Sequence, residues 1–383
     1  MVYRIDGLYY ITHIDNLPSI FEHGVLSHTQ MEKLNLTYQP IYDEGIVSRR
    51  QSIKAPNGRS LWEYANFYFQ PRNPMLYRVT REKDISKIAI LRLKPDLIKQ
   101  EGAYIADGNA AHNLSQIFPF SEAPLKEIQQ HLGLEFWGED DGSKRKIMAE
   151  CLIPEYAPPE TIDSVYVYGN GAYDAVSSIV PKEVSVVKEP CLFFMPDYKN
   201  ILNGTRITLI QGDMFLSQAQ TLTVSVNTVG VMGKGLASRA KYQFPDVYVR
   251  YQDLCKQKEL VVGKPFLVKR ETSLASQLSE GTLSQEKPTW FLLFPTKKHW
   301  KENSDIQYIV DGLAWVKDHI KEWDVSSLAL PALGCGLGGL PWEEVGPLMC
   351  QFAEQVGIPT IIYLPTETKT PPQFLTKEFL LAK

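Results

Sequence analysis

The feature that most restricts how this chain can fold is the apolar run Thr221-Leu-Thr-Val-Ser-Val226, which ends in a glycine-bearing loop. The loop runs Asn227-Thr-Val-Gly-Val-Met-Gly-Lys-Gly-Leu-Ala237, and Ser238-Arg-Ala-Lys-Tyr-Gln-Phe244 behind it reads as the first turns of a helix. A strand, clustered glycines and a helix start together build an anion cradle. Glycine lets backbone N–H groups approach a phosphate closely, and the helix N-terminus adds partial positive charge. The spacing fits neither the dinucleotide-binding nor the P-loop pattern, so by itself the loop reads equally as a packing turn or a phosphate site.

The same alternation continues around it. Arg206–Ile210, Phe266–Val268, Trp290–Phe294, Ser327–Leu330 and Thr360–Leu364 read as strands. Leu236–Gln252 (interrupted at Pro245), Ile306–Glu322 and Trp342–Val356 read as helices, and residues 271–288 form a Ser- and Glu-rich insert. Strands alternating with helices imply a largely parallel, buried sheet. A second glycine cluster, Ala332-Leu-Gly-Cys-Gly-Leu-Gly-Gly-Leu340, again lies between a strand and a helix, so two loops can clamp one diphosphate. Asp213 follows the first strand, where a carboxylate either caps a loop or accepts from an adenine amine; its place beside both loops favours the second. Lys297, at a strand end, reads on pattern alone as a solvated charge.

Residues 1 to about 195 follow another rule: short strands with few helices, an α+β pattern. Leu8–His13 is a strand, Leu17–His23 a helix stopped by Gly24, and 29–59 is irregular and polar. Phe67–Phe69 and Met75–Tyr77 read as strand pieces around a turn, Gln70-Pro-Arg-Asn-Pro74. Ile88–Leu93, Ile147–Ile153 and Ile162–Val167 are further strands. Glu150 lies in an apolar strand and either faces solvent on its polar side, which the pattern favours, or enters a cleft that needs charge. His13 reads as structural. The polar stretch 196–204, with Pro196 and Asn203-Gly204, separates domains 1–195 and 205–383 and is short for a flexible linker. The net charge of −4 gives no global attraction to nucleic acid. Five scattered cysteines without a CxxC pair argue for a reducing compartment and against a zinc site, and no run approaches transmembrane length. A cytoplasmic, metal-free protein is expected.

Spaced motifs in the first half then narrow the reading. Thr12-His-Ile-Asp-Asn-Leu17, Arg49-Arg50, Phe67-Tyr-Phe-Gln-Pro-Arg-Asn-Pro-Met-Leu-Tyr77, Asp107-Gly-Asn-Ala-Ala111 and Ala149-Glu150 resemble, in this order, the DarT family of DNA ADP-ribosyltransferase toxins. The resemblance implies a PARP-like fold that cleaves NAD and passes ADP-ribose to a base, usually thymine, of single-stranded DNA. It implies Glu150 as the catalytic glutamate and Arg49 or Arg50 as the arginine that orients ribose and phosphate. His13 and Asn16 fall in the family's NAD-binding stretch, Tyr68 is a candidate to stack on nicotinamide, and His112 is a weaker candidate for the DNA or nicotinamide side.

The second half, 205 to about 365, resembles a macrodomain and specifically DarG, the antitoxin that removes ADP-ribose from DNA. The residues carrying this are Gln211-Gly-Asp-Met-Phe215, the first glycine loop, Phe294-Pro-Thr-Lys-Lys-His-Trp300 and Ala332-Leu-Gly-Cys-Gly-Leu337. The resemblance implies a three-layer α/β fold with a central mixed sheet. Asp213 would read adenine, Asn227 approach the distal ribose, and Gly233, Gly235, Gly334 and Gly336 bind the phosphates of ADP-ribose. Lys297 matches the lysine that attacks the anomeric carbon, with Lys298 the fallback. Some relatives carry an aspartate in the second glycine loop; Gly338-Gly339 stands in that neighbourhood here, and position alone does not promote His299. The expectation is a bacterial toxin–antitoxin fusion whose partners are NAD, single-stranded DNA and ADP-ribosylated DNA, without a membrane. Its rivals are a macrodomain that only reads ADP-ribose, and an RNA or protein acceptor.

Overall fold

Strands that bury one face each need a partner surface, and the two sequence patterns meet that need with two separate sheets. The computed structural model describes residues 5–42, 44–284, 286–365 and 370–382. Parts of the expected amino terminus and of the tail after 365 therefore lie outside the described residues. The chain divides into two compact units: Met1–Met195 with Ser276–Ser284, and Pro196–Ala275 with Gln285–Lys383. The nine-residue segment 276–284, in sequence part of the second half, thus belongs to the first unit.

The first unit contains strands β1 (Leu8–His13), β2 (Val25–Leu26), β3 (Tyr64–Tyr68), β4 (Ile88–Leu93), β5 (Tyr104–Ala106), β6 (Ile117–Pro119), β7 (Glu150–Pro154), β8 (Tyr156–Ala157), β9 (Ile162–Val167) and β10 (Ser185–Lys188). Eight of them form one sheet in the order β10-β9-β4-β1-β3-β7-β5-β6, antiparallel except at β9–β10. Leu8, Phe67, Leu91, Ile153 and Val165 lie in its continuous buried core. The short strands follow from frequent turn residues, and β2 pairs with β8 as a separate ribbon.

Helices depart from the sequence reading in several places, two of which bear on the site; Leu125–His131 and Asn170–Ser177 are further helices the pattern did not show. Met75–Tyr77, expected as a strand piece, lies inside the helix Pro74–Glu82. Asn73 decides this: its side chain accepts from Leu76 N at 3.0 Å, and Pro74 takes the first helical position, where a missing N–H costs nothing. The irregular stretch 29–59 holds the helices His28–Lys33 and Glu44–Ser52, whose mixed polarity leaves little periodic signal.

The second unit contributes β11 (Tyr198–Ile201), β12 (Ile207–Gln211), β13 (Thr221–Asn227), β14 (Phe266–Val268), β15 (Trp290–Lys297), β16 (Leu328–Pro331) and β17 (Thr360–Tyr363), in the order β11-β12-β17-β16-β13-β15-β14. The five central strands are parallel and the two edges antiparallel, a mixed sheet. Successive side chains of β15 divide between faces. Leu292 and Phe294 share a core with the helices Ile306–His319 and Trp342–Val356, while Phe291 meets Phe244 on the other face at 4.6 Å between centroids. The stretch expected as a join, 196–204, holds the edge strand β11, with Asn203-Gly204 in the turn of a hairpin. Among the described residues no helix is long and apolar enough to cross a membrane.

Candidate active sites

Three neighbouring strands of the first unit bring the candidate carboxylate into its place. Glu150, the first residue of β7, stands opposite Tyr68 of β3 and opposite Ala106 of β5. It is 0% exposed, so the solvent-facing reading of Glu150 is wrong. A buried carboxylate needs partners. Arg50 Nη1 donates to Oε1 at 3.2 Å, Arg50 Nη2 to Oε2 at 2.8 Å, and the Ala110 N–H to Oε1 at 2.9 Å. The bidentate fork fixes both planes at once. Burial works against the Arg50 charge, but the charge and hydrogen bonds of Glu150 outweigh it and raise the guanidinium's pKa. Arg49, about 100° further back on the same helix, is exposed.

A cavity lies against Arg50, lined among others by Tyr10, Thr12, Asn16, His28, Tyr42 and Tyr68, with Glu150 buried behind the guanidinium. Burial pushes the Tyr10 phenol up to about 12, and burial together with Glu150 pushes Tyr68 up as well. Both are therefore hydroxyls near neutrality. His28 is shifted down, first by burial and then by Arg50, which favours a neutral ring; it lies 5.3 Å from the Trp62 centroid and 6.2 Å from that of Tyr42. Asn16 Nδ2 donates to Thr12 Oγ1 at 3.1 Å and to Gln39 O at 3.0 Å, and Oδ1 accepts from Gln39 N at 2.7 Å. It pins the segment that supplies Thr37, Tyr38, Ile41 and Tyr42 to the wall. His13 is engaged elsewhere: its Nδ1 accepts from Asp15 N at 3.2 Å, and it is not among the described residues of the wall. His112 is exposed, with Nδ1 accepting from Leu114 N at 3.1 Å.

In the second unit β13 and β15 are adjacent and parallel, and their register sets Asn227 beside Lys297 at the carboxyl edge of the sheet. Asn227 organises the first glycine loop from within. Its Oδ1 accepts from Val229 N at 3.1 Å and lies 2.9 Å from the Tyr251 hydroxyl, while Nδ2 donates to Val231 O at 2.6 Å. The helix Gly235–Gln243 then starts without a side-chain cap, which leaves its first N–H groups available to an anion. Gly235 adopts φ +59°, and a Cβ there would lie 3.6 Å from Leu337, so the two glycine loops approach each other.

The second loop is tighter. Gly334 has φ +73°, and a Cβ would meet Leu340 at 2.7 Å and Ser304 at 3.1 Å. A Cβ on Gly338 would collide with Ser304 Oγ and Gly334 O, so an aspartate cannot stand there without rebuilding the loop. Gly336 O accepts from Gly339 N at 3.0 Å, while Gly233 sits in open space. Lys297 Nζ donates to Glu302 O at 2.9 Å and to Leu337 O at 3.0 Å, which ties β15 to the second loop. Burial lowers its pKa, against the opposing charge of Glu302. Asp213 is held by Phe215 N at 2.9 Å and by Arg239 at 2.7 Å. Lys298 is exposed over Tyr308, and the His299 ring stacks on Trp300.

Sequence reading missed Ala110, which contributes only a backbone N–H and so leaves no side-chain signal. It also missed the aromatic wall at 28, 38 and 42. Tyr38 and Tyr42 in a polar stretch were the available hint. Among the described residues no group of three His, Cys, Asp or Glu side chains is arranged to hold a metal.

Comparison with known proteins places both units in known families. A family model described as the ssDNA thymidine ADP-ribosyltransferase DarT matches residues 9–194, and a macro domain model matches residues 224–349. A DNA ADP-ribosyl glycohydrolase of Thermus aquaticus is 37% identical over 162 residues, 42% of each chain. The solved structure of Thermosipho africanus DarTG in complex with ADP-ribose superposes with a TM-score of 0.90 at 50% identity, covering 98% of this chain and 99% of that one. The DNA ADP-ribosyl transferase–DNA ADP-ribosyl glycohydrolase fusion protein of Thermosipho africanus is 50% identical over 387 residues, 99% of either chain. With that identity spanning both units, the chain belongs to the family of DNA ADP-ribosyl transferase–DNA ADP-ribosyl glycohydrolase fusion proteins, the DarTG family.

Proposed function

We propose that the first unit transfers ADP-ribose from NAD to thymine in single-stranded DNA and that the second unit hydrolyses the ADP-ribose–DNA bond. The chain is then a writer and an eraser of one mark, a toxin–antitoxin fusion. Residues 1–195 with 276–284 carry the first reaction and residues 196–275 with 285–383 the second, in a reducing, cytoplasmic setting that suits five free cysteines.

The observation that carries the writer is the buried Arg50–Glu150 fork at the cavity. A carboxylate offers about four acceptor positions. Arg50 and Ala110 take both on Oε1 and one on Oε2, leaving one on Oε2 for a ribose hydroxyl of NAD. As nicotinamide leaves, positive charge grows on the anomeric carbon, and a preorganised carboxylate in a dry site stabilises it strongly. Arg50 holds that carboxylate and brings a hydrogen-bond donor close to the acceptor base. Tyr68 offers an aromatic face, Asn16 fixes the wall, and Arg49, His13 and His112 have no direct part.

For the eraser, ADP-ribose lies between the glycine loops. Gly235 and Gly334, with Gly233 and Gly336 beside them, bind its phosphates through backbone N–H groups. Asp213 and Asn227 define the adenine and ribose ends. Lys297 is the nucleophile: its lowered pKa enlarges the neutral amine fraction that attacks the anomeric carbon. The C–N bond to thymine breaks, the base takes up the proton the amine loses, and water then displaces the lysine to release ADP-ribose and the free amine.

One experiment addresses both halves. The full chain and its Lys297→Ala variant are incubated with NAD and a mixed-sequence single-stranded oligonucleotide, and the products are read by mass spectrometry. A +ADP-ribose adduct on thymine that accumulates only in the variant supports the reading. Labelling of RNA or protein in place of DNA, or equal persistence of the adduct in both chains, would overturn the corresponding half.

A further inference from the structure

The first unit contains nine residues, Ser276–Ser284, that the chain reaches only after it has begun the second sheet. They are anchored at several points within that unit. The Trp137 indole N–H donates to Leu278 O at 3.0 Å, Lys144 Nζ to Ser276 O at 3.4 Å, Glu280 N to Pro74 O at 3.1 Å, and Ser284 N to Glu82 Oε1 at 3.3 Å. Trp137 is 1% exposed, so the first anchor sits in the core. Gly281, at φ +71°, makes the turn that follows Glu280.

Glu280 lines the same cavity as Arg50 and Tyr68. Its Oε1 accepts from Asn109 Nδ2 at 3.1 Å. Asn109 Oδ1 in turn accepts from Ala111 N at 2.9 Å, which shapes the 109–111 turn. Between these two residues, Ala110 directs its N–H to Glu150 Oε1 at 2.9 Å. A side chain at 280 therefore reaches the carboxylate at 150 through one amide and one turn. Glu280 is half-buried, and burial, the largest influence, raises its pKa against the charges of Lys144 and His112.

We propose that Glu280 is a positioning residue for the transferase, holding the 109–111 turn so that the Ala110 N–H fixes Glu150 for catalysis. The inference rests on the reading of the first unit as the DNA ADP-ribosyltransferase. It means that the writer's site is completed by residues encoded within the eraser's half of the sequence.

The test compares the full chain carrying Lys297→Ala, which stops removal of the mark, with the same chain bearing Glu280→Ala or Glu280→Gln. Initial rates of ADP-ribose transfer from NAD to a thymine-containing oligonucleotide yield kcat and KM separately. Loss of an orienting hydrogen bond predicts a fall in kcat of about tenfold in Glu280→Ala with KM for NAD within about twofold. Glu280→Gln retains an oxygen that accepts from Asn109 and should recover most of the rate. Asn109→Ala added to Glu280→Ala should lower kcat little further, because both act on one turn. Hydrolysis of a pre-modified oligonucleotide by Glu280→Ala with Lys297 intact reports that the chain is folded. An unchanged kcat in Glu280→Ala, a rise in kcat from an unblocked acceptor path, or no recovery by glutamine would each overturn the proposal. Should the Lys297→Ala chain itself fail to label DNA, the transferase reading fails with it; labelling unaffected by Glu280→Ala sinks only the positioning role.

Discussion

The two sites handle charge in opposite ways. The first unit buries a side-chain ion pair, Arg50–Glu150, whose arginine faces a cavity rich in aromatic side chains. The eraser relies on backbone: an uncapped helix start, a second loop in which Gly334 and Gly338 leave no room for a side chain, and one lysine held by two carbonyls. On the proposed reading, the difference follows from what each must stabilise. A transient cation on a ribose carbon calls for a fixed carboxylate, whereas a diphosphate calls for several N–H groups at close range. Side-chain sites are therefore broken by removing a charge, and backbone sites by adding a carbon.

The sharpest break should come at Glu150. Glu150→Ala removes the carboxylate and leaves Arg50 buried without its counter-charge. Transfer to DNA should fall by about a hundred- to a thousandfold, and the unit should lose about 3–5 kcal/mol of stability. Initial-rate labelling and urea unfolding measure the two effects. Retention of wild-type labelling would remove Glu150 from the reaction.

Lys297 supplies the next largest effect. Lys297→Ala should slow removal of the mark by about a hundredfold or more while ADP-ribose still binds, since the loops are untouched. The wild-type reaction should also carry the lysine's signature. The reactive amine is the neutral form, so the rate rises as pH rises. Because burial lowers the pKa, that rise should centre below the ordinary lysine range near 10.5. A pH–rate profile of single-turnover hydrolysis checks this; a flat profile would make Lys297 a phosphate contact and the domain's chemistry another residue's work.

Against Lys297, the effect at Gly334 is smaller and belongs to binding. Gly334→Ala must hold a side chain at φ +73° against Leu340 and Ser304. A cost of about 1–3 kcal/mol is expected for such strain, which corresponds to roughly tenfold weaker ADP-ribose binding if the loop shifts to relieve it. Calorimetric titration with ADP-ribose tests it. Gly233→Ala, in open space, provides the matched contrast and should bind within about twofold.

This contrast also explains what could be read from sequence. The second unit was legible because a parallel sheet writes itself as strand–loop–helix alternation, and because a backbone cradle requires glycine, a visible residue. Asn227 and Lys297 were singled out by the resemblance, and the register of β13 against β15, which no sequence pattern fixed, places them side by side. The first unit was legible chiefly through its spaced motifs. Its periodicity misread Met75–Tyr77, where the cap at Asn73 outweighed strand propensity, and favoured solvent for Glu150. No pattern joins positions 50, 110, 150 and 280, because their contacts depend on how loops close over a sheet. Segment 276–284 was hidden for the same reason: it looked like a polar insert in the second half of the chain, whereas it packs with the first unit.

The smallest effect tests the finest distinction, between the paired arginines. Arg49 and Arg50 are neighbours on one helix, and side chains one position apart diverge by about 100°. Arg50 reaches Glu150 at 2.8 Å, while Arg49 is exposed. Arg50→Ala would strand a fully buried carboxylate and should resemble Glu150→Ala in both rate and stability. Arg49→Ala removes a solvated charge, and labelling of a short oligonucleotide at moderate salt should stay within about twofold of the starting chain. An exposed cation can still attract the DNA backbone, and that attraction weakens as salt rises. The comparison is therefore run at two ionic strengths. A loss at low salt that vanishes at high salt assigns Arg49 to DNA steering and leaves the chemistry with Arg50, whereas an equal loss at both would place Arg49 in the site and break the fork's claim to be the only arginine that matters there.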